Sequence, residues 1–253
     1  MVEMRGRLRA TRRAFSLAGI TSARLALAEI DVLRHPAPER ATVFDRHAVP
    51  WARAALRSLG ARVVVAPRPP IATTGPRLVV SNHRTTLDAV VLLSLFGGHF
   101  LSRGDLAEWP LIGRAARSAG VVFVDREDKR SGASAIRRIR RLLREGRTVS
   151  VFPEGTTHTG DEVRPFLAGA FVAARALDIE IVPVGLAYPP GTEWFGESFA
   201  SHATKLAART RTDIVVCIGD PRRSAGMGTA ELAEAMRAEV QALVHRARGG
   251  AFP

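Results

Sequence analysis

The sequence is poor in the residues that build cysteine-based sites and base-stacking sites. It has one cysteine, Cys217, among 253 residues, so neither an intramolecular disulfide nor a cysteine-based metal site is predicted. Aromatic residues make up only 6% of the chain, with a single tyrosine. Because proteins that bind RNA or single strands stack the bases on aromatic rings, this scarcity disfavours such a partner.

Long apolar runs are also missing. The best candidates, residues 23–33 and 90–96, are short or carry charges, so no membrane-spanning helix is predicted. The basic start MVEMRGRLRATRR is followed by an apolar run that Arg24 and Glu29 interrupt, which is not typical of a signal peptide. We therefore expect a peripheral or monotopic protein on the cytoplasmic side, which lies on a membrane rather than crossing it.

The charge of the chain is strongly positive. The formal net charge is +13, and Lys129 and Lys205 are the only lysines, so arginine carries nearly all of the positive charge. Such an excess predicts a polyanionic partner, either nucleic acid or an anionic membrane surface. The hydrophobic fraction of 46% is high enough for a folded core, which excludes a disordered chain.

Residues 1–55 are predicted to form a basic helical segment. One helix is expected over residues 5–33, where apolar residues form an irregular stripe, and a second over about 44–59. The arginines around the first stripe are Arg5, Arg7, Arg9, Arg12, Arg13 and Arg24. Basic amphipathic helices lie in membrane interfaces, so this segment is predicted to associate with the membrane. Two ordinary packing helices with solvated arginines fit the pattern equally well.

Residues 56–253 alternate between short β-rich runs and helical patterns. Strands are predicted at 61–66, 77–81, 99–102, 120–125, 147–152, 179–188 and 212–219, and helices at 86–96, 105–118, 133–145, 168–177 and 228–247. This alternation predicts a layered α/β fold with a mainly parallel central sheet flanked by helices. Sites in such folds form at the carboxyl ends of strands, where the polar clusters of this sequence lie.

The first cluster is Asn82-His83-Arg84-Thr85-Thr86-Leu87-Asp88, between a predicted strand and a predicted helix. If His83 lies in the turn before the helix, Asp88 falls in its first turn and can reach back to the imidazole. A carboxylate that binds one imidazole nitrogen leaves the other free to act as a base. The alternative is a threonine cap with Asp88 in the first helical turn and an incidental surface histidine.

Two further clusters also follow predicted strands. Phe152-Pro153-Glu154-Gly155-Thr156-Thr157 offers backbone N–H groups and hydroxyls that suit a phosphate, although Glu154 suits an arginine or a substrate hydroxyl better. Arg126, in Val122-Phe123-Val124-Asp125-Arg126, could bind a phosphate with two hydrogen bonds. A plain turn and a surface arginine paired with neighbouring carboxylates remain the alternatives.

Taken together, the order of these clusters resembles a known family. His-x4-Asp, Phe-Val-Asp-Arg, Phe-Pro-Glu-Gly-Thr and the strand Val182-Pro183-Val184 closely resemble the four motifs of the glycerolipid acyltransferases, across roughly residues 75–190. The best-known members are the 1-acylglycerol-3-phosphate O-acyltransferases. No Gly-x-Ser-x-Gly run, typical of serine hydrolases, is present.

The resemblance implies a role for each motif residue. His83 would be the general base, held by Asp88, and Arg126 with Glu154-Gly155-Thr156 would bind the acceptor's phosphate. Asn82, Thr157 and Pro183 complete the motifs, with Pro183 supporting the fold and the acyl pocket. The acyl donor would be acyl-CoA or acyl carrier protein, with no cofactor and no metal. The expected acceptor is a lysophospholipid, first of all 1-acylglycerol-3-phosphate, which would give phosphatidic acid in phospholipid biosynthesis.

One departure from the family pattern leaves the acceptor open. Thr157-His158 follow Glu-Gly-Thr where the family often has arginine or serine, so a phosphate-binding charge is absent there. Lyso-ornithine lipid, a lysophospholipid with a head group and a glycolipid are the alternative acceptors. The run 193–202 also resembles a segment of some bacterial lysophospholipid acyltransferases. A basic nucleic-acid-binding protein is the alternative from another class, supported only by the net charge, and no nucleic acid is expected.

Overall fold

A computed structural model describes residues 2–36, 40–65, 75–103, 113, 122–124, 129–223 and 226–249. The helices are α1 Val2–Arg34, α2 Arg40–Ser58, α3 Asp88–Phe96, α4 Lys129–Arg144, α5 Gly169–Arg175, α6 Phe199–Ala208 and α7 Thr229–Gly249. The strands are β1 Ala61–Val65, β2 Arg77–Ser81, β3 His99–Arg103, β4 Val122–Val124, β5 Thr148–Val151, β6 Glu180–Ala187, β7 Thr212–Ile218 and β8 Arg222–Arg223.

The eight described strands form one mixed sheet that is mainly parallel. Its order is β1-β7-β6-β2-β5-β3-β4, and β8 also pairs with β6. The run from β6 through β2, β5 and β3 to β4 is parallel throughout. Both β7 and β8 run antiparallel to β6, and β1 is parallel to β7. The predicted layered α/β fold with a mainly parallel sheet is therefore confirmed.

The central strands are buried on both faces, as parallel strands covered by helices must be. In β2, Leu78 and Val80 point into a cluster with α4, α5 and α7, whereas Val79 points into a cluster with α2, α3 and α6. All three side chains are inaccessible to solvent. The alternation along β2 thus divides the core into two layers, one on each face of the sheet.

The closing helix α7 packs tightly against β6 and β7. A Cβ at Gly185 of β6 would lie 2.5 Å from the backbone of Leu243, so only glycine allows this approach. Cys217 of β7 is 3% exposed and packs with Leu243 and Ala247 of α7. Burial raises the pKa of its thiol. The cysteine therefore belongs to the core.

The first helix is attached to α6 by two arginines. Arg9 donates to the carbonyl of Ala208, and Arg13 donates to the carbonyls of Ala207, Arg209 and Thr210, at 2.6 to 3.1 Å. These carbonyls end α6, where the helix dipole also favours a cation. Two of the six arginines around the predicted apolar stripe therefore bind the protein itself.

Most predicted elements are present with small shifts at their ends. The two N-terminal helices extend to Val2–Arg34 and Arg40–Ser58. Gly146, expected just past a helix, lies two residues after α4 with φ of 77°. Of the predicted helix 105–118, only residue 113 is described, and it is helical. Sequence patterns do not predict α6 or β8.

Candidate active site

Two loops with predicted site residues meet at one edge of the sheet. Val80 of β2 pairs with Val151 of β5 on one side and with Pro183 of β6 on the other. The segments that follow β2 and β5 therefore start side by side, and β6 continues past them to Ala187. The loops 82–88 and 152–160 are brought into contact there, and the N–H of His158 donates to the carbonyl of His83 at 3.2 Å.

His83 and Asp88 are in direct contact. Nδ1 of His83 lies 2.7 Å from Oδ2 of Asp88. Asp88 is the first residue of α3, and His83 lies in the turn before that helix, so the five-residue separation closes locally. The helix begins two residues later than predicted, because the N–H of Leu87 donates to the hydroxyl of Thr85 in the preceding turn.

The carboxylate of Asp88 is fully buried and fully hydrogen-bonded. Oδ2 also accepts from the backbone N–H groups of Arg84 and Thr85, at 2.6 and 2.9 Å. Burial alone would raise the pKa of Asp88, but the hydrogen bond and charge of His83, with the bonds from Tyr188 and Thr85, lower it below its usual value. Asp88 is therefore an anion that fixes a proton on Nδ1 of His83.

Tyr188 is a partner of Asp88 that sequence reasoning missed. Its hydroxyl donates to Oδ1 of Asp88 from the residue after β6. Burial first, and then the charge of Asp88, raise the pKa of Tyr188 well above 10.0, so the phenol keeps its proton. Its position at the carboxyl end of a predicted strand, where sites of such folds form, was the available signal.

Glu154 faces the interior rather than solvent. Its Oε1 accepts from the N–H of His83 at 2.7 Å and from Nη1 of Arg84 at 2.8 Å. Its Oε2 accepts from the N–H of Arg164 at 2.9 Å. The Glu154 side chain is 0% exposed and that of Arg84 4%. Its predicted contact with an acceptor phosphate stays a prediction, and the observed partners are protein groups.

Arg84 connects the two loops. Its guanidinium also donates to the carbonyls of His83, Gly160 and Glu162, at 2.7 to 2.8 Å. Every nitrogen of this guanidinium thus has an acceptor within the protein. Arg84 was not singled out from the sequence, because its partners lie about 70 residues away.

The remaining contacts orient the histidine. Asn82 forms two hydrogen bonds with the backbone of Leu186, at 2.8 and 2.9 Å, which continue the β2–β6 pairing past the end of β2. The imidazole of His83 stacks on Phe152, with ring centroids 4.3 Å apart. The His83 side chain is 15% exposed, so the ring keeps access to solvent.

The other predicted site residues differ in accessibility. Gly155 has φ of 77°, which only glycine adopts easily, and Thr156 is exposed while Thr157 is partly buried. Pro183 is buried within β6, beneath the site. Arg126 lies outside the described residues. The structure therefore brings His83, Asp88 and the 154–157 loop together, and their roles stay predictions.

The run 193–202 packs beside the turn 82–88. The N–H of Trp194 donates to the carbonyl of Arg84 at 2.8 Å. The indole of Trp194 lies parallel to the ring of His202, with centroids 5.9 Å apart. This run leads into α6, which the sequence patterns did not predict.

The chain matches a protein-family model over more than half of its length. The model of the family described as Acyltransferase matches residues 41–187 of the chain. The matched range includes both loops of the site and the strand that carries Pro183.

Several curated proteins are similar to parts of the chain. A lyso-ornithine lipid O-acyltransferase from Pseudomonas aeruginosa is 32% identical over 167 residues, which cover 62% of this chain and 64% of that protein. A 1-acyl-sn-glycerol-3-phosphate acyltransferase from Neisseria gonorrhoeae is 31% identical over 111 residues, or 44% of each chain. The chain spans about half the length of the curated relatives it matches.

A solved structure is similar to this chain over nearly its whole length. The 1-acyl-sn-glycerophosphate (LPA) acyltransferase PlsC from Thermotoga maritima superposes with a TM-score of 0.80 at 19% identity, covering 98% of both chains. At that identity the likeness concerns the fold.

Proposed function

Since the acyltransferase family model covers residues 41–187, the chain belongs to that family, and we propose that it transfers a fatty acyl group to a hydroxyl of a lyso-lipid. The strongest support is the 2.7 Å contact between Nδ1 of His83 and Oδ2 of Asp88. A neutral imidazole fixed in this way presents Nε2 as a base to a hydroxyl. Among the described residues, none hydrogen-bonds to Nε2 of His83.

The proposed reaction is a direct transfer. The acceptor's hydroxyl oxygen attacks the thioester carbonyl while Nε2 of His83 takes the hydroxyl proton, and Asp88 stabilises the resulting imidazolium. The new C–O bond forms as the C–S bond breaks. His83 then returns the proton to the departing sulfur, which leaves as a free thiol. No enzyme nucleophile is needed, and the buried Asp88 keeps its charge throughout.

Acceptor binding is assigned to the loop that touches the histidine. Gly155 and Thr156 lie after the buried Glu154, where backbone N–H groups and an exposed hydroxyl are available to a head group. Arg126 is the cation proposed for a phosphate. The donor is proposed to be acyl-CoA or acyl carrier protein, and we propose neither cofactor nor metal.

Two acceptors have specific support. 1-Acylglycerol-3-phosphate is proposed first, because the relative from Neisseria gonorrhoeae carries the name of that activity. Lyso-ornithine lipid is the second, because the Pseudomonas aeruginosa relative matches the larger share of this chain and because Thr157-His158 bring no arginine to the loop. A phosphate-free acceptor would not need that charge.

An acceptor panel tests the activity and chooses between the two. Purified protein is incubated with a labelled acyl thioester, on CoA or on carrier protein, and with each lyso-lipid in turn. Mass analysis of the products should find phosphatidic acid from 1-acylglycerol-3-phosphate, and a His83→Ala protein serves as the blank. Ornithine lipid as the main product would favour the second acceptor. No acylated lipid from a folded protein would refute the proposed function.

A membrane surface is proposed as the place of the reaction. Within the described ranges, no helix is both long and apolar enough to cross a bilayer. On α1, Met4, Leu8, Phe15 and Leu33 are 69 to 78% exposed. At about 100° per residue these four side chains fall within about 40° of one another, on one face of the helix. We propose that this face lies in the cytoplasmic leaflet, with anionic lipid as the partner of the exposed arginines.

A further inference from the structure

A second histidine–carboxylate pair lies next to the first. Nδ1 of His202 is 3.1 Å from Oε1 of Glu197, and the His202 side chain is 0% exposed. Glu197 precedes His202 by five residues, the separation of His83 from Asp88 in reverse order. The proposed acyl transfer makes no use of this second pair, although the charge of Asp88 acts on His202 and tends to raise its pKa.

The surroundings of His202 keep it neutral. Burial lowers its pKa most, Lys205 lowers it further, and Glu197 and Asp88 oppose this change. Glu197 also accepts from the hydroxyl of Ser201 at 2.8 Å and lies 3.5 Å from Nζ of Lys205. The hydrogen bond from Ser201 is the main reason that the pKa of Glu197 is lowered. Glu197 is thus an acceptor, and Nδ1 of His202 donates to it.

The other ring nitrogen of His202 supports the same tautomer. Nε2 is buried, and no partner for it occurs among the described residues. A proton there would leave a charged, buried donor without an acceptor, which is costly. His202 therefore carries its single proton on Nδ1 and stays uncharged.

Trp194 connects this pair to the catalytic turn. Its indole is stacked on the ring of His202, and its Nε1 donates to the carbonyl of Glu197 at 2.8 Å. Its backbone N–H donates to the carbonyl of Arg84. The N–H of Thr85, in the same peptide group as that carbonyl, donates in turn to Oδ2 of Asp88, the oxygen that holds Nδ1 of His83. Two peptide groups thus separate the buried imidazole of His202 from the catalytic carboxylate.

We propose that Trp194 and His202 are positioning residues for the His83–Asp88 pair, with Glu197 holding His202 in its neutral form. The role rests on the proposed acyl transfer. A shift of Trp194 would move the peptide that joins Arg84 to Thr85, and with it the N–H of Thr85 that orients Asp88. Misplacement by about 1 Å far from the reacting atoms can cost about 100-fold in rate.

Variants of the two rings separate positioning from plain core packing. Trp194→Phe keeps an aromatic stack and the backbone N–H, whereas Trp194→Ala keeps only the N–H. His202→Gln offers a neutral amide to Glu197, whereas His202→Ala leaves that carboxylate without its ring partner. Thr204→Ala is the matched control, because Thr204 is exposed on the same helix and bonds only to the carbonyl of Ala200.

The kinetic readout is kcat with both Michaelis constants, measured well below each variant's Tm. We expect the two alanine variants to lose about 10- to 100-fold in kcat with little change in KM for donor or acceptor. The Phe and Gln variants should recover most of the rate, and Thr204→Ala should match the wild type. Alanine variants that unfold at lower temperature yet keep the wild-type kcat would show core packing only and overturn the proposal.

The neutral state of His202 should make the free energy of unfolding depend on pH. Its pKa in the folded protein is below the unfolded value of about 6.5, so the unfolded chain binds the proton first as the pH falls. This contribution is complete above about pH 6.5 and is lost as the pH falls toward the folded pKa. His202→Gln should therefore lose less stability than the wild type between about pH 7.5 and 5 in urea unfolding. Equal losses would contradict a neutral His202.

A readout without catalysis distinguishes failure of this role from failure of the proposed function. In protein labelled with ¹⁵N-histidine, Nδ1–H of His83 reports its bond to Asp88. That resonance should shift or broaden in Trp194→Ala and His202→Ala, and not in Thr204→Ala. An unchanged resonance would overturn the positioning role even if acyl transfer is found, and a changed one would support it even if no lyso-lipid is acylated.

Discussion

Both carboxylate oxygens of Glu154 are directed into the protein, although the residue belongs to a motif expected to bind phosphate. They hold the N–H groups of His83 and Arg164 and the guanidinium of Arg84. A buried ion pair of this kind contributes little net stability relative to apolar packing, but losing one partner is strongly destabilising. The geometry therefore favours a role in holding the histidine's backbone over a role in binding the head group.

Glu154→Gln should lower kcat with little effect on the acceptor KM. The amide keeps one oxygen for the N–H of His83 but no longer balances the charge of Arg84. Steady-state kinetics with varied acceptor measure both constants. A large rise in acceptor KM with an unchanged kcat would instead place Glu154 on the phosphate.

The control for Glu154→Gln is a double variant in which both members of the Arg84–Glu154 ion pair are replaced. Arg84→Met combined with Glu154→Gln removes the unbalanced charge, so thermal unfolding should recover part of the about 3–5 kcal/mol expected from breaking the pair. Activity should stay low, because a methionine side chain makes none of the carbonyl contacts of Arg84. Recovered activity in the double variant would show that the Arg84–Glu154 ion pair is not required for catalysis.

His83→Ala should abolish acyl transfer without unfolding the protein. A general base typically contributes about 10²–10⁴-fold in rate, and the His83 ring touches solvent, so its loss removes little of the core. The rate is measured by single-turnover acylation, with circular dichroism to verify the fold. Asp88→Asn should also reduce the rate, because Nδ1 loses its fixed proton. A rate near the wild type for His83→Ala would exclude His83 as the base.

At the scale of helices and strands, the attachment of α1 to α6 has a measurable consequence. Arg13→Ala removes three bonds to carbonyls at the end of α6 and should destabilise the protein by about 2 kcal/mol, or about 5 °C in Tm. Arg12→Ala is the control, because Arg12 is the exposed neighbour. Differential scanning calorimetry compares the two. Equal Tm values would show that α1 is attached by other contacts.

The predictability of each element followed the range of the contacts that fix it. Short β-rich runs were enough to predict β2, β5 and β6 within one or two residues. The reversed direction of β7 was not predictable, because a buried strand has the same apolar pattern in either direction. Helix α6 was not predicted from the sequence, because His202, one of its buried residues, is polar and interrupts the apolar pattern.

In the candidate site, too, contacts between residues close in sequence were predictable and long-range contacts were not. His83 and Asp88 were predicted as a pair because five residues of turn bring them together. The Arg84–Glu154 pair and the bond of Tyr188 to Asp88 join residues 70 and 100 positions apart, which no local pattern records. The boundary proposed at residue 55 stays a prediction, although α2 continues through it to Ser58 and the family model begins at residue 41.

For the whole molecule, the net charge of +13 matters only where arginines are free to meet a surface. Arg9 and Arg13 are held by α6, whereas Arg5 and Arg12 are exposed beside the apolar face of α1. Each arginine near an anionic membrane contributes about 1 kcal/mol. The electrostatic attraction is therefore smaller than six arginines would give.

Vesicle flotation should show binding to anionic vesicles that falls with added salt, and weak binding to neutral ones. Phe15→Glu should reduce this binding because it places a charge in the apolar face of α1. Val172→Glu, the same change at an exposed apolar residue of α5, is the control. Equal flotation of both variants and the wild type would move the membrane contact away from α1. These substitutions are sharper than deleting residues 1–55, which would also remove the support of α6.

The burial of Cys217 makes the chain a ready background for site-specific labelling. Its thiol is 3% exposed with a raised pKa, so a maleimide should leave it unmodified in the folded protein. A cysteine introduced at an exposed position of α1 would then be the single reactive thiol, and could carry a nitroxide or a fluorophore. The depth of that helix in a bilayer could be measured residue by residue, without first removing the native cysteine.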